Sequence, residues 1–354
     1  MKIASIVGAR PQFIKCAPLS RLIRKEHREV LIHTGQHYDR ELSQIFFDQL
    51  EIPKPDYNLG VGSGPHGEQT AEMLWRVEEV LLKEKPQAVV VYGDTNSTLA
   101  GSLSAAKLWI PVVHVEAGLR SFNRRMPEEI NRILTDRLSA LLFCPTETAV
   151  ENLNREGITQ GVHNTGDVMY DALLQNGRKA EEVSSILRDL RLEPQGYYLI
   201  TVHRAENTDH PENLTRILTA MDGLDLPAIL PIHPRTRKIL EEMNVNIASQ
   251  DTNLRFVDPV SYLDMLVLEK KARKILTDSG GVQKEAWFFG VPCITLRAET
   301  EWVETLEGGW NTLVGTDSES IARAIRQSKP PAPRPKVFGD GQAAEKMVHL
   351  LDQK

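Results

Sequence analysis

Four acidic residues in the first half of the chain have the types and spacing that acid–base chemistry requires. Asp94 and Glu116 each follow a short, almost wholly apolar segment, and Glu128 and Glu129 stand directly after Pro127. Proline and acidic side chains are typical of the first turn of a helix, so the second pair alone would be structural. Carboxylates that share one site shift each other's pKa, which suits general acid and base roles. We therefore expect Asp94 and Glu116 to act together with Glu128 or Glu129.

Basic residues beside a glycine turn form a second group, which is suited to an anion. Gly8 ends the first apolar segment, Pro11 fits the first position of a helix, and Arg10 and Lys15 add positive charge. A helix N-terminus attracts anions through its free N–H groups. The same residues also fit a plain strand-to-helix turn with surface cations, and the residues alone leave both interpretations open.

The second half of the chain carries residues that fit a nucleotide. Ser279, Gly280 and Gly281 follow an apolar segment and predict backbone N–H groups open to a phosphate. Glu285 comes one helical turn later, where its carboxylate can accept hydrogen bonds from ribose hydroxyls. His203 follows another apolar segment of this half. A helix cap would explain Ser279 alone, but not the paired glycines and the glutamate together.

The elements that position these residues follow from the alternation of short apolar segments with helical patterns. We predict strands at 3–7, 30–33, 88–92, 112–115 and 141–145, then at 197–202, 228–232, 254–257, 274–277 and 293–296. Helical spacing fills the gaps, for example at 11–25, 38–50 and 171–190. This predicts an α/β protein with two doubly wound sheets, whose ligands bind beyond the carboxyl ends of the strands. We place the domains at 1–168 and 169–340, with the last helix, 341–354, packing back onto the first.

Composition excludes several classes of protein. The 354 residues include 42 basic and 48 acidic side chains, a net charge of −6, which argues against broad binding to nucleic acid or to a membrane surface. No apolar run approaches the roughly 18 residues of a membrane helix. The three cysteines, Cys16, Cys144 and Cys293, are far apart, so we expect no disulfide framework and a cytoplasmic location.

Cofactor motifs are missing from the sequence. The glycine-rich segment 60–65 fails the spacing of a dinucleotide loop, and there is neither a phosphate-binding P-loop nor a serine nucleophile elbow. No set of residues has a recognisable metal-ligand spacing. We therefore predict an enzyme with no cofactor and no metal.

Taken together, these segments resemble the non-hydrolysing UDP-N-acetylglucosamine 2-epimerases. The resemblance is carried by seven motifs in family order: GARPQFIK (8–15), TGQH (34–37), GDTNST (93–98), HVEAGLRS (114–121), PEEINR (127–132), TVHRAEN (201–207) and TDSGGVQKEA (277–286). Each motif alone is weak, but the ordered set is specific and covers nearly the whole chain.

The resemblance implies a fold of the GT-B glycosyltransferase type, in which two Rossmann-like domains face a central cleft. It implies reversible inversion at C2 of UDP-N-acetylglucosamine (UDP-GlcNAc) to give UDP-N-acetylmannosamine (UDP-ManNAc). The C2 hydrogen is not next to a carbonyl, so direct deprotonation is too costly. Elimination of UDP across C1–C2 to a glucal, followed by re-addition with the opposite face protonated, avoids that cost. A cytoplasmic homodimer serving cell-surface polysaccharide synthesis is also implied.

The resemblance also assigns roles. The expected partner is a UDP-sugar. Catalysis falls to Asp94, Glu116, Glu128 and, beside the diphosphate, His203. Substrate binding falls to Arg10, Lys15, Ser279, Gly280, Gly281 and Glu285. Residues near Gln36, His37 and Arg204 are where activation by UDP-GlcNAc, found in some bacterial relatives, would act.

One stretch departs from the family pattern. Many members carry Thr-Glu-Arg-Pro-Glu where residues 300–304 read Thr-Glu-Trp-Val-Glu, so Trp302 replaces the usual arginine. Arg297 is close enough in sequence to compensate. The replacement leaves open a related substrate, a UDP-linked diacetamido-uronic acid.

Three rival functions remain. A GT-B glycosyltransferase would need an acceptor pocket, and the carboxylate set of the first half argues against it. A hydrolysing epimerase would release free N-acetylmannosamine and UDP. A nucleotide-sugar sensor would need the binding residues but not the carboxylates.

Overall fold

A computed structural model describes residues 1–36, 50–221, 224–232, 234–245, 247, 253–327 and 332–353. The chain divides into two compact units. Unit 1 comprises Met1–Leu174 and Lys336–Lys354, and unit 2 comprises Gln175–Pro335. His37 and the helix predicted at 38–50 fall almost wholly outside the described residues. None of the helices in the described ranges combines the length and the apolar character that crossing a membrane requires.

Unit 1 is built on a parallel sheet with the strand order β3-β2-β1-β4-β5-β6-β7. Its strands are β1 (Lys2–Val7), β2 (Arg28–His33), β3 (Tyr57–Asn58), β4 (Ala88–Tyr92), β5 (Val112–Val115), β6 (Leu141–Cys144) and β7 (Val162–Asn164). Its helices are α1 (Arg10–Glu26), α2 (His66–Glu84), α3 (Asn96–Lys107), α4 (Pro127–Leu138), α5 (Glu147–Arg155), α6 (Val168–Val183), which contains the division between the units, and α14 (Ala343–Asp352). The inner strands are buried along almost their whole length, because helices cover the sheet.

Unit 2 repeats the plan with the strand order β10-β9-β8-β11-β12-β13. Its strands are β8 (Tyr198–Thr201), β9 (Ala228–Pro231), β10 (Leu254–Val257), β11 (Lys274–Thr277), β12 (Cys293–Thr295) and β13 (Asn311–Leu313). Its helices are α7 (Ile186–Asp189), α8 (Ala205–Thr208), α9 (Pro211–Thr219), α10 (Pro234–Glu242), α11 (Tyr262–Lys271), α12 (Gly280–Phe289) and α13 (Ser318–Arg326), with a 3₁₀ helix at Val303–Gly309. The predicted α/β class with two doubly wound parallel sheets is confirmed.

Each sheet has one point where the strand order reverses. In unit 1 the chain runs outward from β1 to β3 and returns beside β1 as β4; in unit 2 it runs outward from β8 to β10 and returns beside β8 as β11. The connections then leave to opposite sides, which opens a crevice at the carboxyl ends of the two central strands. The residues that follow β1, β4, β8 and β11 are therefore the ones placed to meet a ligand.

The last helix belongs to unit 1 because Asp171 fixes its start. The Asp171 carboxylate accepts hydrogen bonds from the backbone N–H groups of Ala343 and Ala344, at 3.1 and 2.8 Å. Burial of this carboxyl group raises its pKa to about 6, while the two N–H groups oppose that shift. From this anchor α14 packs against α1.

Candidate active site

The turn after β1 is closed by a buried glutamine. The Gln12 side-chain oxygen accepts hydrogen bonds from the N–H groups of Gly8 and Ala9, at 2.8 and 3.0 Å. Its amide nitrogen donates to the carbonyl of Tyr92, at 2.8 Å, and so ties the turn to the end of β4. The N–H groups of Gly8 and Ala9 are thus already used within the turn. Arg10 is exposed at the start of α1.

Gly8 is required by the close approach of two neighbouring segments. A Cβ on Gly8 would lie 2.1 Å from Thr34 Oγ1 and 2.2 Å from Ser97 Oγ, far inside van der Waals contact. These two hydroxyls are hydrogen-bonded to each other at 2.8 Å. The backbone of the turn therefore packs directly against the side chains of Thr34, after β2, and Ser97, at the start of α3. This contact lies at the reversal point of the sheet.

A buried ion pair joins two of the predicted site residues. Lys15, on α1, pairs through its ammonium group with the carboxylate of Glu116, which follows β5, and both side chains are buried. Gly93, after β4, lies against them: a Cβ there would be 3.0 Å from Lys15 Nζ and 3.3 Å from Glu116 Oε2. Glu116 has φ of 72°, a left-handed conformation that a non-glycine residue adopts only under constraint. Such strained residues cluster at functional sites.

Asp94 does not cap the helix that follows it. Thr95 caps α3 by accepting a hydrogen bond from the Thr98 N–H, so Asp94 is not needed as the cap. Its carboxylate is instead paired with Arg132 of α4, at 2.6 Å, and 30% of the Asp94 side chain is exposed. A half-buried carboxylate with one charged partner keeps an oxygen open to a ligand. Arg132 was not singled out from the sequence.

The two adjacent glutamates of α4 have different roles. Glu129 is buried and accepts hydrogen bonds from the N–H groups of Ser121 and Phe122, both at 2.9 Å, so it holds the loop before α4. Glu128 is exposed in the first turn and, being four residues before Arg132, lies on the same face of the helix. The structure thus gives Glu129 a structural role, whereas Glu128 points out of the packed core.

A buried network underlies the carboxylates. His114, on β5, has Nε2 at 2.7 Å from the carbonyl of Gly93 and Nδ1 at 2.7 Å from Asp136 of α4. Asp136 also accepts hydrogen bonds from the Gly118 N–H, at 3.2 Å, and from Arg120, at 2.8 Å. This network clamps the segments after β4 and β5 to α4, and those segments carry Asp94 and Glu116. None of its members was singled out as a site residue.

In unit 2 a buried aspartate organises the end of β8. Asp278, after β11, is fully buried and accepts hydrogen bonds from the N–H groups of His203 and Arg204, at 3.1 and 3.0 Å. It also accepts one from the Asn207 side chain, at 3.0 Å, and lies 3.5 Å from His203 Nδ1. Asp278 therefore fixes both the backbone and the ring of His203 at the reversal point of this sheet. The position of Asp278 directly after a buried strand was the signal that could have identified it.

The start of α12 lies beside His203 at the end of β11. Ser279 caps the helix, and its own N–H donates to Thr277 Oγ1 at 2.9 Å, which corrects the expectation that this N–H is open. Gly280 is buried and Gly281 half-buried at the first two helical positions. Glu285 is buried one turn later, with the Tyr262 hydroxyl 3.4 Å away.

The segment after β12 covers this helix start. The Trp302 ring is buried, and its Nε1 lies 3.1 Å from the position of a Cβ on Gly280. Lys284 Nζ stands 3.8 Å from the centroid of the same ring, a cation–π contact. A positive charge thus remains beside position 302, although it comes from the buried Lys284 instead of an arginine. Arg297, which follows β12, pairs with Glu301, the neighbour of Trp302.

No thiol of the chain fits the role of a nucleophile. All three cysteines are buried and unpaired, and burial raises the pKa of each above its ordinary value. Within the described residues, Glu26, His27 and Asp352 are the one group of acidic, thiol or imidazole side chains with the spacing of metal ligands, and they lie away from the strand ends described above. The residues at the strand ends are therefore carboxylates paired with buried cations in unit 1, and a histidine near a helix start in unit 2.

Known proteins match this chain over nearly its whole length. A family model described as UDP-N-acetylglucosamine 2-epimerase matches residues 21–352. A Methanococcus maripaludis protein named UDP-N-acetylglucosamine 2-epimerase homolog is 56% identical over 99% of each chain. A Pseudomonas aeruginosa protein named UDP-2,3-diacetamido-2,3-dideoxy-D-glucuronate 2-epimerase is 48% identical, again over 99% of each.

A solved structure is similar over its whole length. It is the crystal structure of the Methanocaldococcus jannaschii UDP-GlcNAc 2-epimerase in complex with UDP-GlcNAc and UDP. The TM-score is 0.93, with 46% sequence identity and 100% of each chain covered.

Proposed function

The chain belongs to the UDP-N-acetylglucosamine 2-epimerase family, and we propose that it interconverts UDP-GlcNAc and UDP-ManNAc by inversion at C2. The observation that carries the proposal is the pair of carboxylates, Asp94 and Glu116, at the ends of neighbouring strands, each already paired with a buried cation. A nucleotide-sugar sensor would not need this arrangement in unit 1, and the carboxylate set also favours an epimerase over a glycosyltransferase. The product would supply cell-surface polysaccharide synthesis in the cytoplasm.

The proposed reaction has two steps that balance without an oxidant or a reductant. A base removes the C2 proton, the C1–O bond to the diphosphate breaks, and a 2-acetamidoglucal and UDP result. In the second step an acid protonates C2 from the opposite face while a diphosphate oxygen forms the new bond to C1. One proton leaves and one returns, so the pair of carboxylates can exchange roles between the two directions.

Unit 1 contributes the groups that manage protons and charge. Lys15 holds the Glu116 carboxylate in one orientation, and Arg132 does the same for Asp94. Preorganised partners of this kind reduce the reorganisation needed in the transition state. Glu128, exposed at the start of α4, is the third proposed carboxylate, and Arg10 is proposed to counter the charge of UDP.

Unit 2 is proposed to hold UDP. The N–H groups of Gly280 and Gly281 stand at the start of α12, where the helix dipole favours a phosphate. His203, held by Asp278, is proposed to donate to the diphosphate as it leaves, and Glu285 to accept from the ribose hydroxyls. Ser279 contributes its hydroxyl and the cap of the helix, not its N–H.

A second candidate substrate is a UDP-diacetamido-uronic acid, the substrate class in the name of the Pseudomonas aeruginosa relative. Trp302, which takes the place of the usual arginine, and the Lys284 beside it are the observations that favour this alternative.

Product analysis separates these functions. We expect proton NMR of the enzyme with UDP-GlcNAc to show UDP-ManNAc accumulating to an equilibrium mixture, reached from either direction. Free N-acetylmannosamine would indicate a hydrolysing enzyme. If UDP-GlcNAc stays unchanged while the diacetamido-uronic acid is epimerised, the second substrate replaces the first.

We also propose that the enzyme is a homodimer joined through unit 1. Large apolar side chains are exposed on three helices that pack side by side: Trp75 and Leu82 on α2, Trp109 just after α3, and Ile130 and Leu134 on α4. Trp109 is 94% exposed and holds a left-handed φ of 60°. An apolar patch of this kind is what a two-fold interface between identical copies buries.

Substitution of Trp109 by glutamate is expected to dissociate the dimer. A charge placed in an apolar interface must be desolvated, so we expect the dimer dissociation constant to rise by at least about 100-fold, as measured by sedimentation velocity. Val183→Glu makes the same kind of change at an exposed apolar residue outside this patch and serves as the control. It should leave the protein dimeric. A monomeric parent protein, or a Trp109→Glu protein that stays dimeric, would refute this interface.

A further inference from the structure

The start of α12 is already occupied by an anion of the chain itself. The Glu301 carboxylate oxygen Oε1 lies 2.6 Å from the position that a Cβ on Gly280 would take, so it sits directly against the first residue of the helix. Only 8% of the Glu301 side chain is exposed. A helix N-terminus is where a carboxylate or a phosphate is favoured, through the dipole and the free N–H groups. Glu301 therefore stands beside the helix start, where a phosphate would also be favoured.

Two arginines hold this carboxylate from the other side. Arg297 Nη1 is 3.0 Å from Glu301 Oε2, and Arg204 Nη2 is 3.6 Å from Oε1. The Arg297 side chain is only 2% exposed, and its Nε and Nη2 have no hydrogen-bond partner among the described residues. Buried N–H groups of a charged side chain are costly when unpaired. A guanidinium carries five N–H donors in a fixed arrangement, and Glu301 accepts from only one nitrogen of the Arg297 guanidinium, Nη1.

The backbone on both sides of Glu301 is anchored. On one side the Thr300 hydroxyl donates to the buried Gln283 side chain, at 2.7 Å. On the other side Trp302 is packed against Gly280 and the Lys284 ammonium group. Rotation of the Glu301 side chain about its own bonds would free the helix start without moving either anchor.

From these contacts we propose that Glu301 is an internal competitor for the anion subsite of unit 2, and that the diphosphate of the substrate binds by displacing it. This inference rests on the proposed function, because it takes the ligand to be a nucleoside diphosphate. While the subsite is empty, Glu301 compensates the charges of Arg204 and Arg297. A phosphate takes over the same donors and also meets the two unpaired N–H groups of Arg297, which a single carboxylate leaves unused.

Competition by Glu301 should weaken the binding of a phosphate ligand by a measurable factor. When only a fraction of the molecules has a free subsite, the apparent dissociation constant equals the intrinsic one divided by that fraction. Removing the negative charge of Glu301 should raise the fraction. Binding of phosphate groups should therefore become tighter, although a residue that touches the ligand site has been changed.

The test is Glu301→Gln, which keeps the shape of the side chain and removes its charge. We expect isothermal titration calorimetry to give dissociation constants for pyrophosphate and for UDP that are lower by about 5–10-fold than in the parent. Glu307→Gln, an exposed neighbour in the same segment, changes the net charge equally and should leave both constants within about twofold. Glu301→Asp, which withdraws the carboxylate from Gly280 by one methylene, should also tighten binding and covers the case in which Glu301→Gln does not fold.

Unchanged or weaker binding in Glu301→Gln and Glu301→Asp would overturn the proposal, because it would mean that Glu301 only orients the two arginines. Pyrophosphate carries no sugar, so this result is independent of the epimerase assay. If the parent epimerises UDP-GlcNAc but Glu301→Gln does not bind more tightly, the proposed function stands and this inference is wrong. If Glu301→Gln binds pyrophosphate more tightly but the parent does not epimerise UDP-GlcNAc, Glu301 is a competitor and the proposed function is wrong.

Discussion

Replacing Glu116 by glutamine is expected to lower kcat by at least about 10²-fold while UDP still binds with near-normal affinity. Glutamine keeps the size of the side chain but cannot take up or release a proton. Lys15 would also lose its buried partner, so its ammonium charge would be left uncompensated. Asp94→Asn and Glu128→Gln are expected to lose activity to the same order. Steady-state kinetics with calorimetry of UDP binding measures both quantities.

A contrasting variant shows whether this loss is specific to the chemistry. His203→Asn should weaken UDP binding as well as the rate, because His203 is proposed to contact the diphosphate and not C2. The loss of Lys15's buried partner lowers the melting temperature in either case, but a purely structural role for Glu116 would leave the activity of the folded protein near the parent level. A folded Glu116→Gln protein with kcat within about threefold of the parent would remove Glu116 from the proposed mechanism.

The second large effect is on stability, from Asp136→Asn. Asp136 is fully buried and pairs with Arg120 and His114, so the substitution puts an amide in place of one of the two counter-charges of the buried Arg120 guanidinium, the other being Glu156. Removing one partner of a buried ion pair costs about 3–5 kcal/mol. We therefore expect the free energy of unfolding, measured by urea titration, to fall by that amount.

Its control is Glu151→Gln, which removes the same charge from an exposed pair with Arg155 in unit 1 and should cost less than about 1 kcal/mol. Equal, small losses in both variants would show that the buried network does not support the site in the way described.

The fold was largely predictable because its central strands are short, apolar and separated by helical spacing. β4 and β5 were predicted with their observed bounds, since a fully buried parallel strand has little room for polar residues. β3, β7 and β13 were missed: they have two or three residues each and lie at the edges of the sheets, where half-exposed sequence has no clear pattern. The predicted helix at 171–190 is two helices, broken near Ser184, whose hydroxyl bonds Asp264 at 2.5 Å.

Candidate site residues could be chosen from the sequence where they come after a buried strand, as Asp94, Glu116 and His203 do. What the sequence does not contain is the partner of each side chain, because partners come from distant segments. Arg132 reaches Asp94 from α4, Gln12 reaches β4 from α1, and neither contact has a spacing signature. Position 302 carried a signal, the missing arginine, yet only the structure shows that its neighbour Glu301 lies against the start of α12.

Deuterium incorporation at C2 tests the central claim most directly, because elimination and re-addition exchange that proton with solvent. The parent enzyme is incubated with UDP-GlcNAc in D₂O, and proton NMR follows the loss of the C2 signal. We expect deuterium at C2 of the product from the first turnover, and an incorporation rate at least about 10²-fold lower in Glu116→Gln. Product that forms at the parent rate and keeps its original C2 hydrogen would contradict the proposed mechanism.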